Sequence, residues 1–81
     1  MGMRNVTNIV NNYLYNLCCV PPRREVDLYL ETLVADIQNQ FPDISKQSII
    51  NALNENTKVI LHYRTYSSGK TEISLISYQA Y

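Results

Sequence analysis

This sequence predicts an α+β fold: three helices followed by a C-terminal two-stranded antiparallel β-hairpin. Three observations carry that prediction. Apolar residues recur at spacings of three and four through the first half of the chain; residues 58–66 switch to alternating β-branched and aromatic side chains; and Ser67-Ser68-Gly69-Lys70 separates that run from a second one. One domain is expected over residues 1–81. A chain of 81 residues buries only about 60–65% of its unfolded surface, so there is no room for two cores.

The first helix is placed at residues 5–18. Val6, Ile9, Val10, Tyr13, Leu14, Leu17 and Cys18 form one stripe, and Asn5, Asn8, Asn11, Asn12 and Asn16 form the opposite face. Asparagine is a poor helix former, so packing must hold this helix. Its stripe lies beside a core that the later elements can already supply, which marks it as a dimer element. Pro21-Pro22 ends it in an extended corner.

A second helix is predicted over residues 24–40, with Val26, Leu30, Leu33, Val34 and Ile37 on one stripe. Glu25 and Asp27 fall in its first turn, where the helix dipole favours negative charge. Leu28 and Tyr29 widen its apolar surface, Phe41 closes it and Pro42 stops it. The third helix, residues 45–56, takes Ser45 as its N-cap, Asp43 being the alternative. Ile49, Ile50, Ala52 and Leu53 point inward.

In the first strand Val59, Leu61 and Tyr63 share one face, and Lys58, Ile60, His62, Arg64 and Tyr66 share the other. Gly69 supplies the positive φ of the turn, and residues 71–78 return with Ile73 and Leu75 opposite Ile76 and Tyr78. Tyr13, Tyr29 and Tyr63 are expected to face the core. Tyr66, Tyr78 and Tyr81 are expected to stack on a base or fill a dimer contact.

Composition narrows the function. The net charge is zero, but residues 25–44 carry five carboxylates and no cation, whereas Lys46, Lys58, Arg64 and Lys70 lie in the C-terminal part. Cys18 and Cys19 are the only cysteines, and adjacent cysteines rarely bridge, so an intracellular setting is expected. No run is apolar and long enough for a membrane span. His62, the single histidine, lacks a second ligand at metal-binding spacing and is expected to be a half-buried strand residue with a hydrogen-bond partner. Two glycines in all leave no phosphate-cradling loop, and no nucleophile elbow or Cys/His pair is present. Neither an enzyme nor a cofactor or metal protein is expected. The bias toward Asn, Ile and Tyr suits an AT-rich viral or plasmid genome.

The order helix, helix, helix, strand, turn, strand resembles a winged-helix (winged helix-turn-helix) domain, with residues 24–78 as the core and 5–18 as an added helix. The resemblance implies that the third helix enters the major groove and the hairpin touches the backbone. Carried over residue by residue, Lys46, Gln47, Asn51 and Asn54 face the bases, with Ser45 and Ser48 on phosphates near the helix start. Arg64, Tyr66, Ser68 and Lys70 cluster around the wing. The sequence departs from the family in a longer second helix, in having no strand ahead of the third helix, and in a weakly basic recognition face. The expected function is a transcriptional regulator binding duplex DNA as a homodimer. The rival is a protein-interaction module on the same scaffold, such as a small viral inhibitor of a host factor, docking through the acidic second helix.

Overall fold

In the computed structural model, which describes residues 5–19 and 24–80, the chain runs α1 (Val6–Cys19), β1 (Glu25–Tyr29), α2 (Leu30–Gln40), α3 (Lys46–Glu55), β2 (Val59–Thr65) and β3 (Thr71–Gln79). The fold is α+β, with three helices and an antiparallel sheet of order β1-β3-β2. The Pro21-Pro22 corner and Tyr81 lie outside the described residues.

One prediction is corrected at the level of element order: residues 24–40 are not one helix. Residues 25–29 form β1, which pairs with β3 through Val26 opposite Tyr78 and Leu28 opposite Ile76. The hairpin therefore has a third strand, and β3 is central. Glu25, Asp27 and Tyr29 point away from the core while Val26 and Leu28 are half-buried, a period of two. Glu25 and Asp27 are thus strand residues, not first-turn helix residues. Leu28 packs under the sheet rather than widening a helix surface. Val26 and Leu30 also fit a helical spacing, so the pattern alone is ambiguous. The open edge of β3 decides it, because a strand beside that edge satisfies backbone groups that a lone helical turn leaves unpaired.

α2 then starts at Leu30 and buries Leu33, Val34 and Ile37. Phe41 N–H closes it on the Ile37 carbonyl at 2.8 Å, and Pro42 follows. Ile44 is buried, with its N–H on the Phe41 carbonyl and its own carbonyl accepting from Gln38 Nε2 at 3.0 Å. This holds Ser45 where its Oγ accepts from the Ser48 N–H at 3.1 Å, an N-cap. Such a cap contributes about 1 kcal/mol. The predicted cap and third helix match the structure.

The core joins every layer: Val10, Leu14 and Cys18 from α1, four residues of α2, Ile49, Ala52 and Leu53 from α3, and Ile76 and Tyr78 from β3. Of the α1 stripe assigned to a dimer contact, Val10, Leu14 and Cys18 are therefore buried within their own chain, and Val6, Ile9 and Tyr13 pack half-buried against that core. Two asparagines of the other face of α1 are also engaged locally. Asn5 Oδ1 accepts from the Asn8 N–H at 3.1 Å, capping the helix, and Asn11 Oδ1 accepts from Asn56 Nδ2 at 3.2 Å, tying α1 to the exit of α3.

The tyrosines depart from expectation. Tyr29 and Tyr63 are 65% and 59% exposed, whereas Tyr78 is 1% exposed. Tyr78 sits on central β3 with Val26 on one side and Val59 on the other, so its ring is enclosed by the sheet and the helices. Tyr29 alternates outward on β1. Tyr63 lies just past a break in register between His62 and Tyr63, on the hairpin rather than over the helices.

Tyr13 is half-buried, and its hydroxyl donates to Asp36 Oδ2 across the α1–α2 seam. Burial first, and then the carboxylate partner, push its phenol well above the ordinary value of 10.0; Tyr78 is raised as well, chiefly by burial. The folded chain thus holds protons that the unfolded chain releases first. Stability from these groups is complete below pH 10.0 and is lost as pH climbs toward the folded values. Urea denaturation at rising alkaline pH should show this loss. Tyr13→Phe is expected to flatten it, while costing about 1–2 kcal/mol at neutral pH through the lost hydrogen bond.

Candidate nucleic-acid interface

α3 buries Ile49, Ala52 and Leu53 against the core and leaves Ser45, Lys46, Gln47, Asn51 and Asn54 exposed. Gln47, Asn51 and Asn54 are four and three residues apart, which puts them on one outward stripe. α1 packs against α3, and the stripe stays exposed, with Asn51 at the rim of the notch between the two helices. The amides are not independent: Gln47 Nε2 donates to Asn51 Oδ1 at 3.0 Å. Ser45 Oγ donates to Ser48 Oγ at 3.0 Å, so the two serines expected on phosphates are linked.

The hairpin is a tight turn. Tyr66 N–H donates to the Lys70 carbonyl and Gly69 N–H to the Tyr66 carbonyl, each at 2.8 Å. Gly69 has φ +91° with open space around it, so a side chain there is disfavoured by backbone strain and not by a clash. Arg64, Tyr66, Ser68 and Lys70 are all exposed on this hairpin. The Arg64 guanidinium lies 5.3 Å from the centre of the Tyr66 ring, a cation–π distance.

Two acidic residues absent from the sequence-based site sit among these groups. Lys46 Nζ is 3.1 Å from Glu31 Oε1 on α2, and Lys70 Nζ is 3.3 Å from Glu72 Oε1 on β3. Tyr66 donates its hydroxyl to Glu72 Oε2 at 3.0 Å. That hydroxyl first, then Lys70, holds the Glu72 carboxyl below its ordinary value, and Lys46 adds to the effect. The start of α3, the start of α2 and the turn end of the hairpin therefore share one electrostatic neighbourhood. A cleft of about 360 Å³ lies there, lined by Tyr29, Glu31, Tyr66, Glu72 and Ile73 among others. Asn54 is at the far end of α3 and Ser68 at the turn tip, so the predicted site is a strip rather than one pocket.

The Glu72 partnership has a weak sequence signal, since Lys70 and Glu72 are only two residues apart. Glu31 has none, because Lys46 is separated from it by 15 residues and a loop. Both ion pairs are exposed, and such pairs contribute only about 0–1 kcal/mol. Either lysine can therefore exchange its carboxylate for a phosphate at little cost.

His62 is exposed rather than half-buried, because it points to the open face of edge strand β2, but its Nε2 lies 2.9 Å from Ser77 Oγ, the expected hydrogen-bond partner. Cys18 is buried in the core and Cys19 is exposed, and neither is in a disulfide. Among the described residues no group of three or more His, Cys, Asp or Glu is placed to hold a metal, and no helix is long and apolar enough to cross a membrane. Compared with family models, with curated proteins and with solved structures, the chain matches none.

Proposed function

We propose that this protein is a winged-helix domain that binds duplex DNA and acts as a transcriptional regulator. α3 lies in the major groove and the β2–β3 hairpin serves as the wing. The carrying observation is the exposed stripe Gln47, Asn51 and Asn54 on α3, whose opposite side is fixed in the core. A helix held this rigidly, with its polar side open and a hairpin bearing Arg64 and Lys70 beside its start, suits groove insertion with backbone contacts. Element order supports the same reading. Two of the departures from the winged-helix pattern arose from treating residues 24–40 as one helix; β1 supplies a strand ahead of α3 and leaves α2 eleven residues long.

Dimerisation on a two-fold site belongs to the proposal, and three residues of the α1 stripe, Val10, Leu14 and Cys18, are already taken up by the core. β2 is an edge strand with Ile60 52% and Tyr63 59% exposed, and it is the surface we assign to self-association. Sedimentation showing only a 9.4 kDa species at working concentration would remove that part.

The test is fluorescence anisotropy of a duplex titrated at two salt concentrations. Each phosphate engaged contributes about −0.9 to the slope of log affinity on log salt; Lys46, Arg64 and Lys70 together predict about −2.7, or roughly a 40-fold loss between about 50 and 200 mM. Lys46→Glu and Arg64→Glu are each expected to weaken binding and lower that slope. Salt-independent binding, or none, would count against the reading.

A protein-interaction module is the second reading, favoured by the cleft that Glu31 and Glu72 line together with Tyr29 and Tyr66. Glu31→Lys separates the two. It frees Lys46 and should strengthen DNA binding, whereas it should abolish docking of a basic partner. Asp36→Lys does not discriminate, because Asp36 accepts the Tyr13 hydrogen bond and its loss acts on folding.

A further inference from the structure

We infer that the outward face of α3 reads adenine, so that the DNA recognised by this domain is A·T-rich; this rests on the DNA-binding reading and names its substrate class. In the major groove adenine presents an acceptor, N7, beside a donor, the N6 amino group. A carboxamide presents the matching pair, one oxygen acceptor and an N–H donor, in one plane. Guanine presents two acceptors, N7 and O6. An amide facing it sets its own oxygen against an acceptor, so guanine is read by arginine or lysine instead.

The exposed stripe of α3 carries amides only: Gln47, Asn51 and Asn54. The single cation of the helix, Lys46, is in its first turn with Nζ 3.1 Å from Glu31 Oε1, which directs it toward α2 and away from the stripe. Arg64 and Lys70 belong to the hairpin, one over the Tyr66 ring and one on Glu72.

The Gln47–Asn51 hydrogen bond strengthens the case. Gln47 uses one Nε2–H on Asn51 Oδ1. Its other N–H and its Oε1 stay available as a donor–acceptor pair, and Asn51 keeps both N–H groups and a second lone pair. A glutamine restrained in this way loses less side-chain freedom on binding than a free one. Among the described residues, the neighbouring notch between α1 and α3, lined by Asn5, Thr7, Ser48, Asn51 and Glu55 among others, adds no cation that would favour guanine.

The experiment is competition anisotropy with equal-length duplex pools randomised over A·T pairs only or G·C pairs only. A third A·T pool carries 7-deazaadenine, which lacks the N7 acceptor. The A·T pool is expected to bind at least about fivefold tighter, the lower end for one good amide–adenine pair. The preference should vanish with 7-deazaadenine and in Gln47→Ala and Asn51→Ala, whose circular dichroism should match the parent because both side chains are exposed. Equal, salt-dependent binding to both natural pools overturns the inference and leaves the DNA-binding reading intact. A preference that survives 7-deazaadenine also overturns it, since the A·T signal then comes from groove shape. Binding to neither pool overturns both.

Discussion

Leu14→Ala is expected to lower the unfolding free energy by about 2–5 kcal/mol, the range for emptying a buried leucine site. Leu14 is 0% exposed and lies between Val10 and Cys18 in the same core as the α3 and β3 side chains. Domains of this kind have only about 5–15 kcal/mol in total, so the variant should be close to unfolding at physiological temperature. The measurement is urea denaturation followed by circular dichroism, with the midpoint falling and the slope unchanged. The outcome also decides what α1 is for. Were α1 a dimer arm beside a self-sufficient core, the substitution would change the sedimentation of the protein and scarcely move the stability of one protomer.

Tyr78→Ala is expected to cost still more, about 3–5 kcal/mol, as for other large aromatic residues removed from a core. Tyr78 is 1% exposed on the central strand, opposite both Val26 and Val59. Its loss removes the one ring that touches both outer strands at that level of the sheet, and both strands should loosen together. The control is Tyr63→Ala. At 59% exposure that side chain should matter by no more than about 0.5 kcal/mol to stability. Hydrogen exchange would separate the two: protection of β1 and β2 should fall in the Tyr78 variant and persist in the Tyr63 variant.

The contrast between these tyrosines marks a limit of pattern reading. Alternation put Tyr63 on the face of Val59 and Leu61, and parity along β2 is kept up to His62. Beyond the register break the hairpin extends past the helices, so the face that is inward at Val59 has nothing to cover it at Tyr63. Tyr78 stood near the chain end, where nothing local indicated that β3 would be the middle strand. Burial in a sheet depends on how many neighbours a strand has, and neighbours are assigned at long range.

The candidate interface was legible in a similar proportion. Ser45 caps α3 as its sequence position implied, and the polar stripe is exposed because its inward partners Ile49, Ala52 and Leu53 are apolar at helical spacing. The ion pairs of Lys46 and Lys70 were not legible. They bring carboxylates into a surface that the net charge of its own elements describes as mildly basic.

What the sequence determined by itself is whatever is encoded within one turn or one alternation. α1, α3 and the β2–β3 hairpin with its positive-φ Gly69 follow from spacing, capping and turn chemistry, because their hydrogen bonds close between residues near in the chain. Only the tertiary structure decided residues 25–29. Val26 and Leu30 suit a helix, whereas Val26 and Leu28 suit a strand. A strand forms there because its backbone groups and its two inward side chains find partners on β3, some fifty residues away, at Tyr78 and Ile76.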